Sequence, residues 1–214
     1  MTTGVNETPA ERPVKACSPL QIVIWPDPLL TKMCAPVSEV DIGALRTGEQ
    51  TSLRELLDGM ALTLRLTGGG GLAAPQVGRL VRVICVRVLR QEVSPGDAGV
   101  PKEREEVLHL LNPVVTYCSD GFMQVNEGCL SFPGVTVPTQ RRSCCRVSAI
   151  GFDGNPVELG GDGLLAVALQ HEIDHLDGRT LVEHVSSLRR SLIRQRLTKQ
   201  KKRGLRYNLQ EAIQ

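Results

Sequence analysis

Leu164-Leu165-Ala166-Val167-Ala168-Leu169-Gln170-His171-Glu172-Ile173-Asp174-His175-Leu176-Asp177 is followed directly by Gly178. The apolar positions recur at helical spacing, and a glycine just past the last of them is a stop signal. The stretch therefore predicts a helix from Leu164 to Asp177. Inside it lies an H-E-x-x-H pentad, His171 to His175. On a helix of about 3.6 residues per turn, positions four apart stand over one another, so both imidazoles can face one metal ion. Glu172 stands about 100° round the helix from His171 and about 60° from His175. It flanks the ion without ligating it, where a carboxylate can take the proton of a water that the ion polarises. The alternative is a surface helix carrying two histidines by chance. The chain has only four histidines, and two of them fall in this pattern.

Two imidazoles do not complete a catalytic site, which needs a third protein ligand and one open position. The H-E-x-x-H-x-x-G-x-x-H arrangement of metzincin proteases is matched as far as Gly178, but its third-ligand position is Leu181, and His184 comes three residues later. Glu183 is left open by spacing alone. Cys129 is the stronger candidate: it follows Gly128, which permits close backbone approach, and a thiolate is a strong ligand for a divalent metal. The other six cysteines (Cys17, Cys34, Cys85, Cys118, Cys144 and Cys145) read as inert buried thiols.

Working outward, Ser52-x-x-Glu55 offers a capping box before Leu53, Leu56, Leu57, Met60 and Leu64 at helical spacing, which predicts a helix over 52–66. Residues 29–41 read as irregular. Val81–Leu89 reads as a strand and 91–106 as a polar surface excursion. Val107–Leu111 and Val114–Tyr117 read as strands broken at Asn112-Pro113. Arg146–Phe152 and Val157–Leu159 read as a hairpin about Asp153-Gly154. Arg189–Arg203 reads as a last helix. The expected class is α+β: antiparallel strands packed around a central metal-binding helix, in a single domain with a basic C-terminal helix. The expected division is a lead-in over 1–19, a catalytic domain over 20–185, and a basic helix and tail over 186–214.

The composition agrees. The chain has 214 residues, 25 Lys+Arg against 23 Asp+Glu, and 41% hydrophobic residues. That excludes a disordered chain, and no run of about 18 uncharged apolar residues exists to span a membrane. The near-neutral balance argues against a dedicated binder of DNA or other nucleic acid. Seven cysteines without a C-x-x-C pair, and an N-terminus bearing Glu7 and Glu11, point to a reducing cytoplasm rather than a secreted disulfide framework.

Gly69-Gly70-Gly71-Leu72-Ala73-Ala74-Pro75-Gln76-Val77-Gly78 is a third informative stretch. It follows a helix rather than a strand and lacks a Gly-Lys-Ser/Thr ending, so it is neither a dinucleotide fingerprint nor a P-loop. Gln76 is its one polar side chain, set among residues too small to hide it. Together, Gly69-x-Gly71-Leu72-Ala73-Ala74-Pro75-Gln76, Glu127-Gly128-Cys129-Leu130-Ser131 and Gln170-His171-Glu172-x-Asp174-His175-Leu176-x-Gly178 resemble, in order, the three signature motifs of the peptide deformylase family. The likeness covers roughly residues 20–185 and includes Trp25-Pro26-Asp27-Pro28.

The resemblance implies an enzyme that removes the formyl group from the initiator methionine of nascent proteins and releases formate. It implies Cys129, His171 and His175 as ligands of one divalent ion, Fe²⁺ first, with Zn²⁺ and Ni²⁺ as alternatives. Glu172 is then the general base and acid, and Gln76 with the backbone N–H of Leu130 holds the oxyanion. N-formylmethionyl peptides are the implied partners, their methionine side chain lying in a cleft bordered by Gly70, Gly71, Val167 and Ala168; the plainer reading of Val167 is core. Two departures stand out: Gly70 occupies a position where the family usually has a branched aliphatic residue, and Arg179-Thr180-Leu181-Val182-Glu183 is more polar than the usual continuation. From Ser186 to Gln210 there is no acidic residue, so ribosomal RNA is a candidate partner for the C-terminus; a solvated helix and frayed tail is the preferred reading. The competing functions are a zinc metallopeptidase, which would yield new peptide fragments, and a non-catalytic ribosome-associated protein, against which an intact Glu172 and Gln76 speak.

Overall fold

The computed structural model describes residues 18–49, 51–92 and 102–202. Among these, the elements run α1 (Glu39–Thr47), α2 (Ser52–Thr67), β1 (Gly71–Ala73), β2 (Val83–Glu92), β3 (Lys102–Cys118), β4 (Phe122–Gly128), β5 (Thr136–Arg142), β6 (Cys144–Ile150), β7 (Pro156–Asp162), α3 (Gly163–Leu176) and α4 (Ser187–Lys202). Five strands form an antiparallel sheet in the order β1-β2-β3-β6-β7, and β4 and β5 form a separate antiparallel ribbon. Helices and antiparallel strands thus share one domain, as the α+β reading expects.

The side-chain alternation of β2 sorts the core into two layers. Val83 and Cys85 pack with Leu72, Leu111 and the α2 residues Leu53, Leu57, Met60 and Leu64. Ile84 and Val86 turn the other way, against Ala166, Leu169, Ile173 and Leu176 of α3. The sheet is therefore covered by a helix on each face, which is why Val83–Val86 is an unbroken apolar run. Helix α3 also touches β1, β5, β6 and β7. A third cluster gathers Trp25, Leu30, Phe132, Val137 and Leu181 with Ile193 and Leu197 of α4, so the basic helix is pinned to the domain by its apolar side. Gly178 takes the left-handed conformation (φ 73°) just past α3.

Several elements differ from the sequence reading. The cap of α2 is Thr51, not Ser52: Thr51 is extended and its hydroxyl accepts the Arg54 N–H at 3.2 Å. Residues 29–41 are not wholly irregular, since Pro28–Thr31 form a 3-10 turn and α1 begins at Glu39, capped by Ser38. The supposed excursion over 91–106 is strand at both ends: β2 runs to Glu92 and β3 starts at Lys102. Its charges misled because they pair across the ladder, Arg87 with Glu105 at 3.1 Å and Arg90 with Glu106 at 2.5 Å. Residues 93–101 lie outside the described residues. Asn112-Pro113 does not end a strand; β3 continues through it, and the pairing with β6 slips between Leu111 and Val114 where Asn112 has φ 50°. Strands β1, β4 and β5 have no counterpart in the sequence reading. Most of the predicted lead-in and the predicted tail beyond Lys202 lie outside the described residues. Among the described residues, no helix is long and apolar enough to cross a membrane.

Candidate metal centre

The ribbon and α3 meet at one place. Gly128 ends β4, and Cys129 opens the loop that leads to β5. Helix α3 presents His171, Glu172 and His175, all buried. One ligating atom from each of Cys129, His171 and His175 lies within 4.8 Å of the other two. Cys129 Sγ is 3.3 Å from His175 Nε2. Glu183, the alternative from spacing, is elsewhere: it is exposed and its Oε1 accepts the Thr180 N–H at 3.1 Å. Leu181 is core.

Behind the trio stands a polar network that sequence reasoning missed. His171 Nδ1 donates to Glu127 Oε2 at 2.5 Å, which leaves Nε2 as the ring nitrogen that could ligate an ion. Glu127 also accepts from Thr139 and from Arg141, at 2.6 Å through Nε and 3.1 Å through Nη2. Arg141 reaches on to Asp174 at 2.5 Å, and Asp174 pairs with Arg179 at 2.7 Å. Glu127, Thr139 and Arg141 are all buried. Burial pushes the Glu127 carboxyl up, but the bonds from His171, Arg141 and Thr139 outweigh it and hold the group well below the usual carboxylate range. The available signal was proximity in sequence: Glu127, near the end of β4, stands two residues before Cys129.

The two rings are driven apart in basicity. Burial lowers both, but His171 is raised well above an ordinary imidazole by its bonds to Cys129 and Glu127 and by the nearby Glu172. His175 falls well below, through burial and the neighbouring His171. The surroundings that favour a proton on His171 favour any cation placed there.

Glu172 is buried, and its Oε2 has no hydrogen-bond partner among the described residues. Burial pushes its carboxyl up to about 7, with His171 opposing. The carboxylate lies on Gly71: a Cβ there would stand 2.5 Å from Glu172 Oε1 and 2.6 Å from Cγ. Gly70 is different, since a Cβ there would meet nothing within 4 Å. Gln76 is buried; its Oε1 accepts the Ala73 N–H at 2.7 Å and its Nε2 donates to Cys129 Sγ at 3.2 Å. That leaves one amide N–H without a partner among the described residues. A cleft of about 770 Å³ opens over these groups, bordered by Gly70, Gly71, Gln76, Leu130, Val167, Ala168 and Glu172. Every residue the sequence nominated for the site, Glu183 aside, is therefore at this cleft or against it. Of the other cysteines, Cys34, Cys85 and Cys145 are buried, as the sequence reading expects, but Cys118 and Cys144 are only half-buried; Cys17 lies outside the described residues.

Comparison with known proteins gives the same direction. Residues 19–191 match the family model of polypeptide deformylase. The peptide deformylase of Cellvibrio japonicus (strain Ueda107) is 37% identical over 187 residues, covering 87% of this chain and 98% of the relative. The crystal structure of a peptide deformylase from Legionella pneumophila superposes with a TM-score of 0.68 at 32% identity, over 86% of this chain and 96% of that one. A Met-Ala-Ser-bound class I type b peptide deformylase from Acinetobacter baumannii does so with a TM-score of 0.66 at 29% identity, over 79% of this chain and 100% of that one. With matches running nearly the whole length of each relative and the three motif segments converging on one cleft, the chain belongs to the polypeptide deformylase family, metal-dependent enzymes that remove the N-formyl group from nascent proteins.

Proposed function

We propose that Cys129, His171 and His175 hold a single divalent ion, that α3 is the metal-binding helix of the fold, and that the formyl amide of an N-formylmethionyl peptide is hydrolysed there in the cytoplasm. The donor set fits: one sulfur and two imidazole nitrogens suit Fe²⁺, Zn²⁺ or Ni²⁺, and Fe²⁺ is the first choice. The orientation fits too, because Glu127 fixes the tautomer of His171. The ion, when bound, acts as a Lewis acid that makes water a nucleophile near neutral pH.

Glu172 does the proton work. Its Oε2 has no hydrogen-bond donor among the described residues, so it is available to a water. Poised near neutrality by burial, it can take a proton from the attacking water and return it to the leaving amine, which departs poorly unless protonated. The amide of Gln76 and the backbone N–H of Leu130 stabilise the oxygen that gains charge at the transition state. Gly70, Gly71, Val167 and Ala168 wall the methionine side chain, which wants an aliphatic surface. The Met-Ala-Ser complex of the Acinetobacter baumannii relative supports a peptide ligand of this kind.

The orphaned carboxylate of Glu172 beside the Cys–His–His trio carries this reading. Its test is formate release from formyl-Met peptides by anaerobically prepared protein, with Glu172→Ala alongside. The variant should keep a parental metal content and lose ~10²–10⁴ in turnover. New peptide fragments instead of formate would favour a peptidase, and parental turnover in Glu172→Ala would discard the assigned base.

A further inference from the structure

The cleft has a wall that the motifs do not account for. Gln200 and Lys201, at the end of α4, border it together with Pro133, Gly134 and Thr136. Helix α4 is held against the segment from Phe132 to Val137 that follows Cys129. Ile193 and Leu197 are buried with Phe132, Val135 and Val137. The Arg189 guanidinium donates to the Thr136 carbonyl at 3.0 Å. Arg196 lies over Gly134, where a Cβ would come within 2.8 Å of Nη2. The helix and the loop thus form one surface, and a shift of either moves the cleft.

Two features of that surface are unspent. Gln200 Oε1 is shut away from solvent with no hydrogen-bond partner among the described residues, an uncommon state for a buried polar atom. Its terminal torsion is broad and two-fold, so a turn of the amide about that bond presents a polar atom to the cleft that Gln200 borders. Lys201 is exposed, and its Asp27 partner is 3.5 Å away, a loose surface pair. No acidic residue occurs in α4 to offset it.

We propose that α4 is part of the substrate site: Gln200 binds the main chain of a formylated peptide beyond its first residue, and Lys201 favours an acidic side chain there over a basic one. This rests on the deformylase reading above and assigns to the basic helix a role in substrate choice.

The test uses full-length, metal-loaded protein and formyl-Met peptide amides of two and four residues, the longer ones with Glu or Lys at the third position. The parent should show a lower KM for the longer peptides, and a lower one for Glu than for Lys. Gln200→Ala should shrink the length advantage about 3- to 10-fold, the weight of one lost neutral hydrogen bond, with the change in KM rather than kcat. Lys201→Glu, at an exposed position that does not threaten folding, should reverse the Glu-over-Lys preference, and added salt should erase the reversal. Melting midpoints matching the parent show that both variants fold. A parent that releases formate, with the same length and charge preferences in both variants, overturns the assignment of α4 alone. A parent that releases no formate from any peptide overturns the functional reading, and this one with it.

Discussion

Gly70 and Gly71 are neighbours with opposite tolerances. A methyl group on Gly71 would enter the Glu172 carboxylate, whereas one on Gly70 would enter open space. Gly71→Ala should therefore displace Glu172, the proposed general base, and lower kcat by about 10²-fold, the scale of a misplacement of about 1 Å. Its metal content should stay parental, because the ligands are untouched. Gly70→Ala should alter KM more than kcat. Parental kcat in Gly71→Ala would mean that the carboxylate is not held where its contacts put it. At this scale the sequence was highly legible. Histidine, cysteine and glutamate are few, their chemistry is specific, and the four-residue spacing of His171 and His175 works only on a helix. What it could not show is that Gln76 donates to the sulfur of Cys129, a contact between segments 53 residues apart.

The β4–β5 ribbon was the least legible element, and the reason is physical. Its inward positions include Glu127, Thr139 and Arg141, residues that normally face water. Period-two alternation was present, but its buried half mixes Val137 with Glu127, Thr139 and Arg141, so no continuous apolar stripe marked it. The element escaped notice because its core is an ion-pair network serving the site. Helix α1 was obscured for a milder reason, since it contains Gly43 and glycine disfavours helix interiors. Because Glu127 orients His171, Glu127→Gln should weaken metal binding by about 10- to 100-fold, read by competition with a chelator of known affinity. An unchanged affinity would show that His171 needs no support from the ribbon. The same variant should lose stability, since Arg141 would keep its charge in a buried place with one partner fewer.

Across the whole molecule, the two faces of the sheet bear different loads. The α3 face holds the candidate site, and the α2 face holds His109, its ring tilted at 33° to that of Phe152 with centroids 4.9 Å apart, and donating through Nε2 to the Leu57 carbonyl at 2.9 Å. Burial lowers its pKa from 6.5 to about 4, with Arg65 and Arg54 adding to the effect and the Leu57 bond opposing it. Between those values the unfolded chain binds a proton that the native chain refuses, so stability falls as pH drops from 6.5 to about 4. His109→Gln should show a shallower fall of the urea midpoint over that window; an identical fall would clear His109 of the effect. The sandwich itself was foreshadowed by the apolar run at β2 and the helical periods of α2 and α3, whereas the register that sets them on opposite faces needed the paired strands. The proposed ligands come from distant parts of the chain. Cys129 and His175 are 46 residues apart in the chain, so an ion shared by them cross-links a long loop, and an unfolded chain would have to surrender that loop's freedom to capture it. Such an ion would therefore bind the folded chain more tightly than the unfolded one, so loading would act as a clasp that raises the melting midpoint.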